Sequence, residues 1–143
     1  MKWHVFAVGK PALPYCRAGV EEYGARLGKK AELHFFKRSD TVAEKWMLEK
    51  SEGMLRVALD ERGEQVSSVQ LASKISQWEQ NNARAVALFI GGADGLGAVL
   101  KKQSQWVWSL SCLTLQHELA LVVVLEQIYR AYAIKGGLPY HRA

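Results

Sequence analysis

Ala85-Val86-Ala87-Leu88-Phe89-Ile90, followed at once by Gly91-Gly92-Ala93-Asp94-Gly95-Leu96-Gly97, is the stretch that decides the fold. Six consecutive apolar residues read as a strand buried on both faces, the environment of a parallel sheet covered by helices. The glycines then turn the chain toward a short helix ending near Gln103, because small residues permit positive φ and close backbone approach. Upstream, Trp3 to Gly9 and Glu32 to Phe36 read as strands separated by a helix near Leu13 to Leu27, with Val20, Tyr23 and Leu27 on one face. Thr41 to Glu44 carries a capping-box pattern for a helix reaching about Leu55, and Val57 to Asp60 supplies a third strand. After an ERGEQ turn, Ser67 to Gln70 caps a third helix with Leu71, Ala72, Ile75 and Trp78 on its core face, stopped by Asn81-Asn82. Downstream, Trp106 to Leu110 is a fifth strand and Glu118 to Ile134 the last helix. Strands alternating with crossover-length helices predict an α/β domain with a mainly parallel sheet and helices on both faces.

At 143 residues, 49% hydrophobic and 23% charged, the chain suits a single domain spanning 1–143 and excludes general disorder. The net charge of +5 modestly favours a polyanionic partner. Cys16 and Cys112 form neither a metal-ligand spacing nor a disulfide framework, so a reducing, cytoplasmic setting is expected and no metal. The longest apolar run, Leu119 to Leu125, is too short to span a membrane.

Ligands of open α/β sheets collect beyond the carboxyl ends of the strands, where the Gly91–Gly97 turn and Ser111 to Gln116 both fall. The glycine turn serves equally as a ligand-facing loop or as a plain strand-to-helix connection. Ser111-Cys112-Leu113-Thr114-Leu115-Gln116 reads first as a prolonged fifth strand, and otherwise as the wall of a cleft for a flat heterocycle. His117 is either a packing residue at a helix start or a proton acceptor, and Glu118 suits the positive end of that helix. Tyr140, His141 and Arg142 crowd a terminus with no core reason to hold them, a solvated tail being the alternative. The last helix is apolar nearly all round at its start, which calls for a subunit interface or an internal position.

At IGGADGL (90–96), SLSCLTLQH (109–117), EQIYRAY (126–132) and PYHRA (139–143) the sequence resembles the SPOUT methyltransferases, and within them the ribosomal large-subunit methyltransferase H family. Four fragments in order at the expected spacing make the resemblance specific, and VFAVGK and ALDERG extend it along the chain. It implies a deep trefoil knot over about 88–143, an exception to the rule against knots. It also implies S-adenosylmethionine bound by Leu59, Gly91, Gly92, Leu110, Ser111, Cys112, Leu113, Thr114, Leu115 and Gln116, with no metal. The implied reaction is methylation of N3 of a pseudouridine in large-subunit (23S) rRNA on the assembled ribosome, by a homodimer packed through its knot helices. His141, His117 and Tyr140 are the candidate proton acceptors, and Arg142 the contact for RNA phosphate or developing charge. Two other functions fit the same resemblance: a non-catalytic RNA-binding protein of this fold, and a methyltransferase acting on tRNA. Gln116 stands where the family often has proline, and Leu121 where it commonly has arginine.

Overall fold

The computed structural model describes residues 1–37 and 41–142, Thr41 by its backbone alone. Five strands, β1 (Lys2–Val8), β2 (Ala31–Phe36), β3 (Leu55–Gln65), β4 (Ala85–Ile90) and β5 (Trp106–Ser109), form one sheet in the order β2-β1-β4-β3-β5. Every pairing in it is parallel. The helices are α1 (Pro14–Leu27), α2 (Thr41–Lys50), α3 (Ser68–Gln80), α4 (Ala98–Lys102) and α5 (His117–Lys135).

The period of two along each strand sorts the core into two layers. Trp3, Val5, Val57, Val86, Leu88 and Ile90 point toward α1, α3 and α5, where Val20, Ile75, Leu121, Val124, Leu125 and Ile128 meet them. Phe6, Ala58, Ala87 and Phe89 point the other way, onto Met47 of α2 and Leu100 of α4. Leu88 and Phe89 are both fully buried, as the apolar run predicts for a strand covered on both sides. Crossovers moving one way across the sheet use α1 and α3, and those moving back use α2, so one hand of connection is kept throughout.

Helix α5 packs against both α1 and α3. Val124, Leu125 and Ile128 on it are wholly inaccessible, each side chain contributing about 1.5–3 kcal/mol through burial. The internal position expected as one alternative for this apolar helix is therefore realised.

Local signals held unevenly. Ser67 caps α3 in a complete box: its Oγ accepts from Gln70 N at 3.1 Å while Gln70 Oε1 accepts from Ser67 N at 2.8 Å. Asn81 ends that helix and Asn82 follows at φ 64°, the left-handed conformation that asparagine tolerates. The capping box expected at Thr41 lies outside the described residues, and the Glu44 carboxylate accepts from Gly97 N at 2.9 Å. Helix α2 ends at Lys50 rather than Leu55, because Leu55 already pairs with Val86 of β4. Nor is ERGEQ a turn that closes the strand. Leu59 and Glu64 both face Trp108 of β5, so the residues between them bulge out and β3 resumes to Gln65.

Candidate active site

Beyond the carboxyl ends of β4 and β5, and beside the bulge of β3, lies a cavity of about 370 Å³. Three loops build it. The bulge of β3 supplies Asp60, Glu61 and Arg62 after Leu59, the glycine turn follows Ile90, and the segment after β5 supplies Leu110, Ser111, Leu113, Thr114 and Leu115. His117 and Ala120, at the start of α5, close one side. β4 leads to a helix on one face of the sheet and β3 and β5 to helices on the other, so their loops part at this edge and leave a crevice.

Backbone geometry fixes the glycine turn. Gly95 has φ +76° and donates its N–H to the Gly92 carbonyl at 3.0 Å, closing a tight loop that a side chain at Gly95 would strain. A Cβ on Gly91 would stand 2.5 Å from the carbonyl carbon of Gly95, a contact no rotamer change relieves. This loop therefore presents backbone groups, with Asp94, to the cavity.

Ser111 to Gln116 is an irregular loop and not the prolonged strand of the first sequence reading. Side-chain hydrogen bonds hold it against the β3 bulge. Ser109 Oγ donates to the carbonyl of Glu61 or Ser111, at 3.0 Å in each case, and Thr114 Oγ1 donates to Glu61 Oε2 at 2.6 Å. Ser111 Oγ accepts from Leu113 N at 3.0 Å. The cavity has mixed charge: Lys101 Nζ sits 3.1 Å from Asp60 Oδ2, and Glu61, Arg62 and Asp94 add to the lining.

Eight of the ten residues expected at the cofactor line this one cavity: Leu59, Gly91, Gly92, Leu110, Ser111, Leu113, Thr114 and Leu115. Cys112 and Gln116 do not. Cys112 is exposed and its sulfur accepts from Gln65 Nε2, while Gln116 caps α5, its Oε1 accepting from Glu118 N and Leu119 N at 2.8 and 3.0 Å. Asp60, Glu61, Arg62, Asp94 and Lys101 also line the cavity and are not among the residues expected from the sequence; for the first three the charged run directly after the third strand is the available signal.

The C-terminal residues lie elsewhere. Tyr140 Oη is 2.9 Å from Tyr23 Oη and donates to Glu126 Oε1 at 3.3 Å, with its ring edge-on to Tyr129 and under the Arg130 guanidinium. His141 Nδ1 meets Arg130 Nη1 at 3.0 Å, and Arg142 is exposed. Arg130 is thirteen residues beyond His117 on α5, or about 20 Å along the axis at 1.5 Å per residue. Within one chain, then, His117 is at the cavity and Tyr140 and His141 are not. Desolvation first, then the bond to Tyr23, pushes the Tyr140 phenol up to about 12, so it stays un-ionised at neutral pH.

Glu118 binds α1 to this end of α5. Its Oε1 accepts from Ala12 N at 2.6 Å and Leu13 N at 2.9 Å, and the Leu13 amide chiefly holds the carboxyl below its usual value.

The sequence matches the family described as predicted SPOUT methyltransferases over residues 1–141. The chain belongs to the SPOUT methyltransferase family. Similar proteins include the ribosomal RNA large subunit methyltransferase H of Coxiella burnetii, 42% identical over 99% of this chain and all of that one. That of Thermus thermophilus is 41% identical over 99% of both chains. Among solved structures, a probable methylase family protein from Haemophilus influenzae superposes with a TM-score of 0.62 at 10% identity, covering 99% of this chain and 70% of that one. The tRNA (m1G37) methyltransferase of Aquifex aeolicus gives 0.55 at 13%, covering 91% and 70%. These likenesses show the α/β fold.

Two residues that depart from the SPOUT pattern have structural work in this member. Gln116 supplies the α5 cap just described. Leu121 is 2% exposed in the layer between the sheet and α1, α3 and α5, where an arginine would bury an unpaired charge. Leu121→Ala is expected to cost about 2–5 kcal/mol through lost burial and a residual cavity. Equilibrium urea unfolding checks this, and an unchanged midpoint contradicts the placement.

Proposed function

We propose that this chain transfers a methyl group from S-adenosylmethionine to N3 of a pseudouridine in large-subunit ribosomal RNA, on the assembled particle and in the cytoplasm. The observation that carries the proposal is the convergence of eight expected cofactor residues and His117 on one cavity. Large-subunit rRNA methylation is also the activity for which relatives matching nearly the whole chain are named.

The cavity fits the cofactor. A volume of about 370 Å³ is in the range of small-molecule sites. Leu110, Leu113 and Leu115 offer apolar contact to a purine, and the glycine turn and the loop after β5 offer backbone donors and acceptors. Asp60, Glu61 and Asp94 suit a ligand bearing positive charge, while Arg62 and Lys101 suit its carboxylate. When bound, S-adenosylmethionine supplies an electrophilic methyl on a cationic sulfur.

The chain's own residues must orient the base and remove its N3 proton, since the neutral imide is a poor nucleophile. His117, which lines the cavity, is the residue we assign to accept that proton. Tyr140, His141 and Arg142 act on the RNA or the developing charge from a second copy of the chain, because their own cavity is about 20 Å away along α5. A homodimer packed beside α5 accounts for this, and a large side chain exposed near the start of α5, Tyr15 at 61%, supports it. We read residues 1–143 as one SPOUT domain with its knot over about 88–143, supported by the return of the chain after β5 to seat α5 against both α1 and α3.

The test is transfer of labelled methyl from the cofactor to ribosomes, isolated large subunits and tRNA in parallel. Label is expected in large-subunit RNA. Label confined to tRNA favours the tRNA enzyme, and none in any substrate favours a binding protein.

A further inference from the structure

Three side chains remote from the cavity share one geometry that methyl transfer does not use. In the register of β1 and β2, His4 faces Glu32 and Phe6 faces His34. With side chains alternating along a strand, His4, Glu32 and His34 emerge on the same face of the sheet. His4 Nδ1 lies 3.0 Å from His34 Nε2, and Glu32 Oε2 lies 3.3 Å from the first and 3.4 Å from the second.

We propose that His4, Glu32 and His34 form a divalent transition-metal site, with Zn²⁺ as its ion. A tetrahedral zinc with bonds of about 2.0–2.1 Å holds its donors roughly 3.3 Å apart, so these three atoms outline one face of its coordination shell. Two imidazoles and a carboxylate suit zinc, whereas magnesium and calcium take oxygen ligands. Solvent supplies the fourth position, on the side where Glu32 is 49% exposed.

The surroundings are prepared for a metal. The His34 ring stacks on Phe6 with centroids 4.6 Å apart and planes 15° apart, which fixes its orientation. The ion displaces one competitor, Lys2, whose Nζ is 3.6 Å from Glu32 Oε2. Among the described residues β2 is the edge of the sheet and pairs with β1 alone, so the metal clips an edge strand to its neighbour. The site lies on β1 and β2, whose residues do not line the cavity, so it stands apart from the methyl-transfer site.

The test uses the full chain, stripped with chelator and titrated calorimetrically with zinc chloride. One Zn²⁺ per chain is expected, with affinity falling at least about tenfold in His4→Ala and in His34→Ala. Cys112→Ser, which removes the exposed thiol, leaves zinc affinity unchanged. Cobalt in place of zinc gives the visible bands of a four-coordinate site, absent from both histidine variants. Should a histidine variant fail to fold by circular dichroism, Glu32→Gln provides the same reading at an exposed position, again with a loss of about tenfold. No zinc uptake by the intact chain, or uptake unaltered in these variants, overturns the site.

Discussion

Deleting Tyr140 to Ala143 lowers methyl transfer by at least about 10²-fold, the scale on which positioned acid–base and charge-stabilising groups act, and leaves S-adenosylmethionine affinity nearly intact. The separation of the two effects follows from geometry. Tyr140 and His141 rest on Tyr23, Tyr129 and Arg130, and neither they nor Arg142 line the cavity. Single-turnover kinetics and calorimetry on the truncated chain measure the two quantities. Full activity contradicts the role of the tail, and an equal loss of cofactor affinity places the tail in the fold of the cavity instead. Mixing the truncated chain with a chain defective only in its cavity extends the test to the proposed dimer. With the tail acting across that dimer, a mixed pair holds one complete site, so about a quarter of normal activity is expected when equal amounts exchange at random.

Gly91→Val is expected to produce the complementary defect, with cofactor affinity falling at least about tenfold, or 1.4 kcal/mol. The added Cβ would meet the backbone of Gly95 at 2.5 Å, and backbone cannot step aside as a side chain can. The turn must open, and Gly92, Ala93 and Asp94 move with it out of the cavity wall. Calorimetric titration with S-adenosylmethionine, alongside circular dichroism to verify folding, decides the matter. A folded variant with unchanged affinity contradicts the assignment of this loop to the cofactor.

What the sequence disclosed follows the range of the interactions involved. Ala85 to Ile90 announced a strand covered on both faces because burial on two sides leaves a continuous apolar run, and Ser67 with Gln70 announced a helix start because a capping box is local. The β3 bulge was misread as a turn, since charged residues with a glycine look alike in both, and only the pairing of Leu59 and Glu64 with the same Trp108 distinguishes them. Asp60, Glu61 and Arg62 were missed for that reason. Ser111 to Gln116 was ambiguous between strand and loop, and hydrogen bonds to Glu61, far away in sequence, settle it. His4, Glu32 and His34 were invisible because strand register is not written in spacing. Leu121, unexplained in the sequence, is a core residue.

Nucleoside mass spectrometry of large-subunit RNA, isolated from unmethylated ribosomes after incubation with the chain and S-adenosylmethionine, tests the central claim most directly. The predicted result is a single new nucleoside, pseudouridine methylated at N3. Methylation at another atom, methylation found only in tRNA added to the same reaction, or no methylated nucleoside at all would contradict it.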